Sequence, residues 1–242
     1  MEKHTVTISK NKKIEFELVR KKVKNINLTI RPDLSIMISA NPNVPIEVIY
    51  DYVAKKSLWL MNRIGKYQQT KTENNVEHEY LSGESYKYLG KQYRLLVEFT
   101  TSTERVILNE GFITLYVREK RKIVTKARLI DDWYRKSATD EFMQSMNRMY
   151  PLVSDVVGFE PKIVFKLMKK RWGSCLRSKK TVLLNLELIK APKYCIDYVM
   201  LHELVHFIHK DHDSKFYETL SVLMPDWKDR KSILDEEIVL FV

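Results

Sequence analysis

The segment Tyr198-Val199-Met200-Leu201-His202-Glu203-Leu204-Val205-His206 constrains this chain more than any other. It reads H-E-x-x-H in a helical pattern, and a spacing of four residues puts both imidazoles on one face, one turn apart. There they can hold one Zn²⁺ at about 2.0–2.1 Å. The other face carries Leu201, Val205 and Ile208, so the helix is apolar almost all round and has to be buried. Pro192 suits its first turn. Buried histidines without partners are costly. A metal is one way to satisfy them, and hydrogen bonds to backbone carbonyls are the plainer alternative. Glu203 follows the first histidine and leans toward a metal's open side. A carboxylate there can take a proton from an attacking water and later give it to a leaving amine.

A third protein ligand is needed, and four of the six histidines lie between His202 and His212. In a continuous helix His209 sits about 10 Å along the axis from His202, too far for one ion to reach both. His212 fits if the helix ends near Lys210 and the chain turns back, with Asp211 and Asp213 as turn and cap residues before a helix over 214–224. Glu218 on that next helix is the rival. His209 then belongs to the surroundings of the ligands or to the surface.

The remaining pattern gives an α+β chain. Residues 5–8, 14–19, 26–30 and 34–38 alternate apolar and polar as strands do. Pro42 and Pro45 introduce a helix over about 45–68, and the polar stretch Gln68–Glu79 reads as a loop. Residues 86–99 and 106–117 look like strands, with Leu89-Gly90-Lys91 as a tight turn. Between Ile123 and Tyr150 there is neither Gly nor Pro, and Ile130, Tyr134, Ala138, Phe142 and Met146 mark one face of a long helix that Pro151 ends. Residues 163–167 and 182–186 are expected strands. The change of character near Arg118 suggests a β-rich region over 1–118 and a helix-rich domain over 119–242.

Composition narrows the class. Glycine and proline are scarce (6 and 7 in 242 residues), which excludes collagen-like and low-complexity chains. No apolar run reaches the roughly 18 residues of a membrane span, and residues 1–6 lack a secretory pattern, so a cytoplasmic protein without membrane contact is expected. Cys175 and Cys195 are too few for a disulfide framework and read as reduced thiols. The net charge is +11, and Lys162 to Lys180 holds eight basic residues and no acidic one. That run can serve solubility, favour acidic peptides, or bind nucleic acid phosphates.

Arg171-Trp172-Gly173-Ser174-Cys175, Leu184-Asn185, the segment from Ile196 to His206, and Pro225-Asp226-Trp227 together resemble the YgjP-like metallopeptidases, a family related in its zinc core to SprT-like proteins. Gly83-Glu84 and Tyr88-Leu89-Gly90 resemble its amino-terminal pattern. The resemblance implies a zincin-like domain with one Zn²⁺ per chain on His202, His206 and His212, Glu203 as catalytic acid and base, and a peptide or protein substrate. Asp211-His212-Asp213 departs from the family's usual Asn-His-Ser, and Phe216-Tyr217 from its Phe-Trp; neither change removes a ligand.

Arg171, Trp172, Gly173 and Ser174 are candidate cleft residues, since Gly173 and Ser174 let a backbone pass close and Trp172 can wall the cleft. The same residues equally suit a packed turn. Arg171, Tyr194 and Tyr198 are candidates to stabilise an oxyanion. Two other functions fit the sequence: a nucleic-acid-associated protein with a structural zinc site, and a hydrolase of non-peptide amides.

Overall fold

The computed structural model describes residues 2–9, 12–31, 34–62, 64–65, 78–168 and 171–237. The chain divides into two compact units, one over residues 1–77 with 239–242 and one over 78–238. Most of the loop expected over 68–79 lies outside the described residues.

In the first unit, β1 (Glu2–Ser9) and β2 (Lys12–Arg20) form an antiparallel pair, and β3 (Asn27–Ile30) and β4 (Ile36–Ala40) form another. β2 runs parallel to β4, which gives the order β1-β2-β4-β3. Alternation sets the buried face: Ile14, Phe16 and Leu18 point inward from β2, and Ile36 and Ile38 from β4. Helix α1 (Ile46–Lys55) covers them with Ile49 and Val53, one turn apart. The helix expected to run to 68 breaks at Lys56, and a second helical stretch over 57–62 adds Leu60 to this core.

The second unit begins with β5 (Ser85–Tyr88) and β6 (Lys91–Phe99), joined by the Leu89-Gly90 turn, where both residues have positive φ. β7 (Arg105–Asn109) and β8 (Phe112–Val117) complete a sheet ordered β5-β6-β8-β7. Leu95, Val97, Ile113, Leu115 and Val117 share one core with Ile130, Tyr134, Ala138, Phe142 and Met146 of α2 (Ile123–Met149). The change of character near Arg118 is therefore a change of secondary structure inside the second unit, because this sheet finds its apolar partner in the helices that follow it.

After the short α3 (Ser154–Val157) come β9 (Lys162–Lys166), β10 (Gly173–Leu176) and β11 (Thr181–Asn185), ordered β10-β11-β9 with β10 at the edge. Then follow α4 (Lys193–Val205), α5 (Ser214–Leu223) and α6 (Trp227–Glu237). Among the described residues no helix is long and apolar enough to cross a membrane.

Helix α4 is held at its start and along its flank. Next to its start, the β5–β6 turn docks through Leu89 N–H to Ile189 O and Gly90 N–H to Lys190 O, each 3.0 Å. A Cβ on Gly90 would lie 2.7 Å from Pro192 Cγ, so glycine is required there by contact as well as by φ. Along its flank, Arg148 of α2 grips the buried Asp197 through Nε and Nη2 and reaches Glu141 through Nη2 at 2.8 Å. Ser145 Oγ donates to Asp197 at 2.7 Å, and Lys193 pairs with Glu141 at 2.8 Å. The two carboxylates are buried and matched by cations that reach solvent, which fixes α2 against α4 in one register.

Candidate active site

Ten of the thirteen residues of α4 are buried, as its apolar surface requires. His202 and His206 face the same side, but the helix ends at Val205 rather than near Lys210. Its last turn tightens: Phe207 N–H bonds to Leu204 O at 3.0 Å, and Ile208 N–H to Val205 O at 2.9 Å. The chain then reverses into α5, where Asp213 accepts a hydrogen bond from Phe216 N–H at 3.0 Å as the N-cap.

This reversal brings His212 back over α4. Its Nε2 stands 2.9 Å from His202 Nε2 and 3.1 Å from His206 Nε2. Three imidazole nitrogens on one tetrahedral zinc lie about 3.3 Å apart, given Zn–N bonds of about 2.0–2.1 Å, so the donor set fits that ion. Among the described residues, these three form the group able to share one metal. Phe216, fully buried, lies against all three rings at centroid distances of 4.6–4.9 Å. That role is not visible in the residue pattern beyond an apolar residue near the start of α5.

Two of the three rings are held in the form a metal needs. Burial pushes His202 down to about 3, with His206 and His212 adding like-charge penalties, so its imidazole is neutral. Burial also lowers His206. His206 Nδ1 lies 3.1 Å from the carbonyl oxygen of His209, which can only accept; the proton sits on Nδ1 and the Nε2 lone pair faces the cluster. His209 contributes by its backbone, while its own ring reaches Thr219 Oγ1 at 2.9 Å on α5. Glu218 is exposed and borders a separate apolar hollow beside Trp227.

Glu203 is buried beneath β10. Burial pushes its carboxyl up to about 8, against the lowering effects of the Cys175 N–H that it accepts and of the Arg171 charge. Gly173 makes the approach possible: a Cβ there would stand 2.6 Å from Glu203 Oε1. The glycine expected to let a backbone pass closely does so against the side chain of Glu203.

A cleft of about 820 Å³ opens over these groups, lined by Arg171, Trp172, Gly173 and Ser174 on one side and by His202, Glu203, His206 and His212 on the other. Tyr198 also lines it, whereas Tyr194 does not. Trp172 is half-buried and packs on the core. Cys175 borders the cleft as a free thiol pushed up to about 12, chiefly by burial.

Asn185 is the main residue that sequence reasoning left without a role. It is fully buried; its Oδ1 accepts from Met168 N–H and Glu187 N–H, and its Nδ2 donates to Met168 O and Arg171 O. These bonds, with Asn185 N–H to Trp172 O at 2.8 Å, tie Met168, Arg171 and Trp172 to the end of β11. A polar residue ending an apolar strand was the available signal.

The basic run divides among several settings. Arg171 and Arg177 line the cleft, Lys180 lies over the Phe159 ring at 4.4 Å, and Lys162 and Lys166 are exposed on β9. Lys169 and Lys170 lie outside the described residues.

An α+β fold with H-E-x-x-H on a buried helix, a third histidine returned to it by the next helix, and a glutamate under a sheet edge is that of a zincin-like, metal-dependent peptidase. The YgjP-like metallopeptidase domain matches residues 24–237, and the chain belongs to that family. Among solved structures, the metallopeptidase zymogen jannalysin of Methanocaldococcus jannaschii is similar over 41% of this chain and 91% of its own, at 22% identity and a TM-score of 0.36, a likeness too loose to bear on this fold or site. No curated protein matches the chain.

Proposed function

We propose that this protein hydrolyses peptide bonds with one Zn²⁺ per chain, held by His202, His206 and His212, and with Glu203 as the acid and base. The observation that carries this reading is the convergence of three Nε2 atoms beside a buried carboxylate that is not one of them. When bound, zinc supplies a Lewis acid and lowers the pKa of a coordinated water toward 7.

The chain's own residues do the rest. Glu203, kept from solvent by β10, accepts a proton from the attacking water in its ionised form, which a cation held by the three histidines would favour against the effect of burial, and delivers it to the leaving amine. Arg171 and Tyr198 both line the cleft and are the candidates to hold the oxyanion. β10, as an edge strand, offers its remaining open backbone groups to an extended peptide, Cys175 N–H being taken by Glu203. Two cysteines in the chain are too few for a disulfide framework, which suits a reducing compartment, and we propose a cytoplasmic location.

A structural zinc site takes four protein ligands, whereas this cluster offers three, which favours catalysis over a nucleic-acid-associated structural role. Hydrolysis of non-peptide amides uses the same groups and is separated from peptidase activity by substrate alone. Elemental analysis of purified protein tests the first step. About one zinc per chain is expected, and protein that never takes up zinc would remove the proposal.

A further inference from the structure

Charge around the cleft is one-sided. Its lining includes Arg171, Arg177, Lys210 and Lys231 against only two carboxylates, Glu203 and Asp235. Asp235 is already paired with Lys231, and Glu203 is buried under β10. Arg171, Arg177 and Lys210 are exposed, and none forms a salt bridge with a carboxylate among the described residues. Their placement is ordered as well. Arg171 precedes β10 and Arg177 follows it, so the two cations stand at opposite ends of the edge strand, roughly 20 Å apart for an extended chain. Lys210 lies across the cleft, between His206 and His212 in sequence. The Arg177 charge is close enough to act on both Cys175 and His206, and that of Arg171 on Glu203.

We propose that this cleft selects peptides with acidic side chains on both sides of the cleaved bond, through Arg171, Arg177 and Lys210. The proposal rests on the peptidase reading and adds to it the class of substrate. A peptide along β10 passes Arg171 and Arg177 about three residues to either side of the strand's middle, so Asp or Glu at those places meets an exposed cation. Low-dielectric walls focus this field, which raises both the encounter rate and the local concentration of acidic chains. The open edge of β10 pairs with an extended peptide backbone and has no counterpart in a nucleic acid strand, which favours an acidic peptide over nucleic acid.

The experiment uses the full zinc-loaded chain and three peptide pools that are identical except for Glu, Ala or Lys at the flanking positions. Cleavage is followed by mass spectrometry, and binding of a fluorescent Glu peptide to the Glu203→Gln protein is followed by anisotropy. The Glu pool should be cleaved at least about tenfold faster than the Lys pool at low salt, with the gap narrowing as salt rises. Arg177→Glu and Lys210→Glu should reverse or erase the preference and weaken Glu-peptide binding, while zinc content stays at the wild-type level. Equal cleavage of all pools overturns the charge preference and leaves the peptidase reading intact. Tight Glu-peptide binding with no pool cleaved supports the preference and overturns the peptidase reading. A single-stranded oligonucleotide that displaces the Glu peptide and loses affinity in the same two variants assigns the cations to nucleic acid and overturns the proposal.

Discussion

Gly173 and Glu203 are in direct contact, so close that a methyl group on the glycine would stand 2.6 Å from Oε1 and 2.7 Å from Cγ of the glutamate. The edge strand thereby acts as a roof over the carboxylate, and Cys175 N–H, two residues along that strand, donates to it. Position, solvent exclusion and raised proton affinity of Glu203 all follow from one missing side chain in β10.

Gly173→Ala tests this contact. The added carbon has to displace either the strand or the carboxylate, at a cost of about 1–3 kcal/mol. Peptide hydrolysis should fall at least tenfold, because misplacing a catalytic group by about 1 Å costs up to 10²-fold. Zinc content should not change. Wild-type turnover by the alanine variant would mean that the contact does not set the geometry.

The third ligand can be read from metal retention. His212→Ala should lose zinc during mild dialysis far more readily than wild type, since it removes one of three donors. Glu218→Ala should keep its zinc, because Glu218 borders a different hollow. His209→Ala should also keep it, with at most a modest loss of affinity, because its link to His206 runs through a backbone carbonyl that the substitution retains. If Glu218→Ala emptied the site and His212→Ala did not, the assignment of ligands would be wrong.

Arg148 should matter for stability and not for chemistry. Arg148→Met leaves Asp197 without its cation and Glu141 with Lys193 alone, in surroundings where both carboxylates are buried. A loss of about 3 kcal/mol is expected, read as a fall in melting temperature of roughly 6–12 °C. Lys193→Met, which removes a more exposed partner, should cost less. A melting temperature within 2 °C of wild type for Arg148→Met would show that the network does not hold α4 in place.

What the sequence made legible was local. The i, i+4 pair on α4, the capping aspartate at 213 and the long periodic face of α2 all lie within a few turns of one helix, where spacing alone determines which side chains meet. Axial rise set His209 apart from His202 but left Glu218 beside His212 as a candidate third ligand. The rest depended on residues far apart in sequence. Arg148 meets Asp197 across 49 residues, and Asn185 reaches back 17 residues to Met168. No periodicity records such pairings. Gly173 was recognisable as a place of close approach, yet nothing in its neighbours named Glu203 as what approaches. The early end of α4 was hidden for a related reason: residues 206–209 keep helical-looking composition while the backbone tightens and turns, drawn by the His206–His209 hydrogen bond and the capped start of α5. Strands β5–β8 carry the alternation of an independent sheet, and only their packing on α2 shows that they belong to the second unit.

Catalysis turns on Glu203 as the group that moves the proton, and Glu203→Gln measures this most directly. Glutamine keeps the shape and can still accept a hydrogen bond from Cys175 N–H, but it cannot take a proton at neutral pH. Zinc content by elemental analysis and the melting temperature should stay near wild type, while hydrolysis of a peptide that the wild-type protein cleaves falls by roughly two to four orders of magnitude. Cleavage at the wild-type rate by zinc-loaded Glu203→Gln protein would contradict the account and remove this carboxylate from the mechanism.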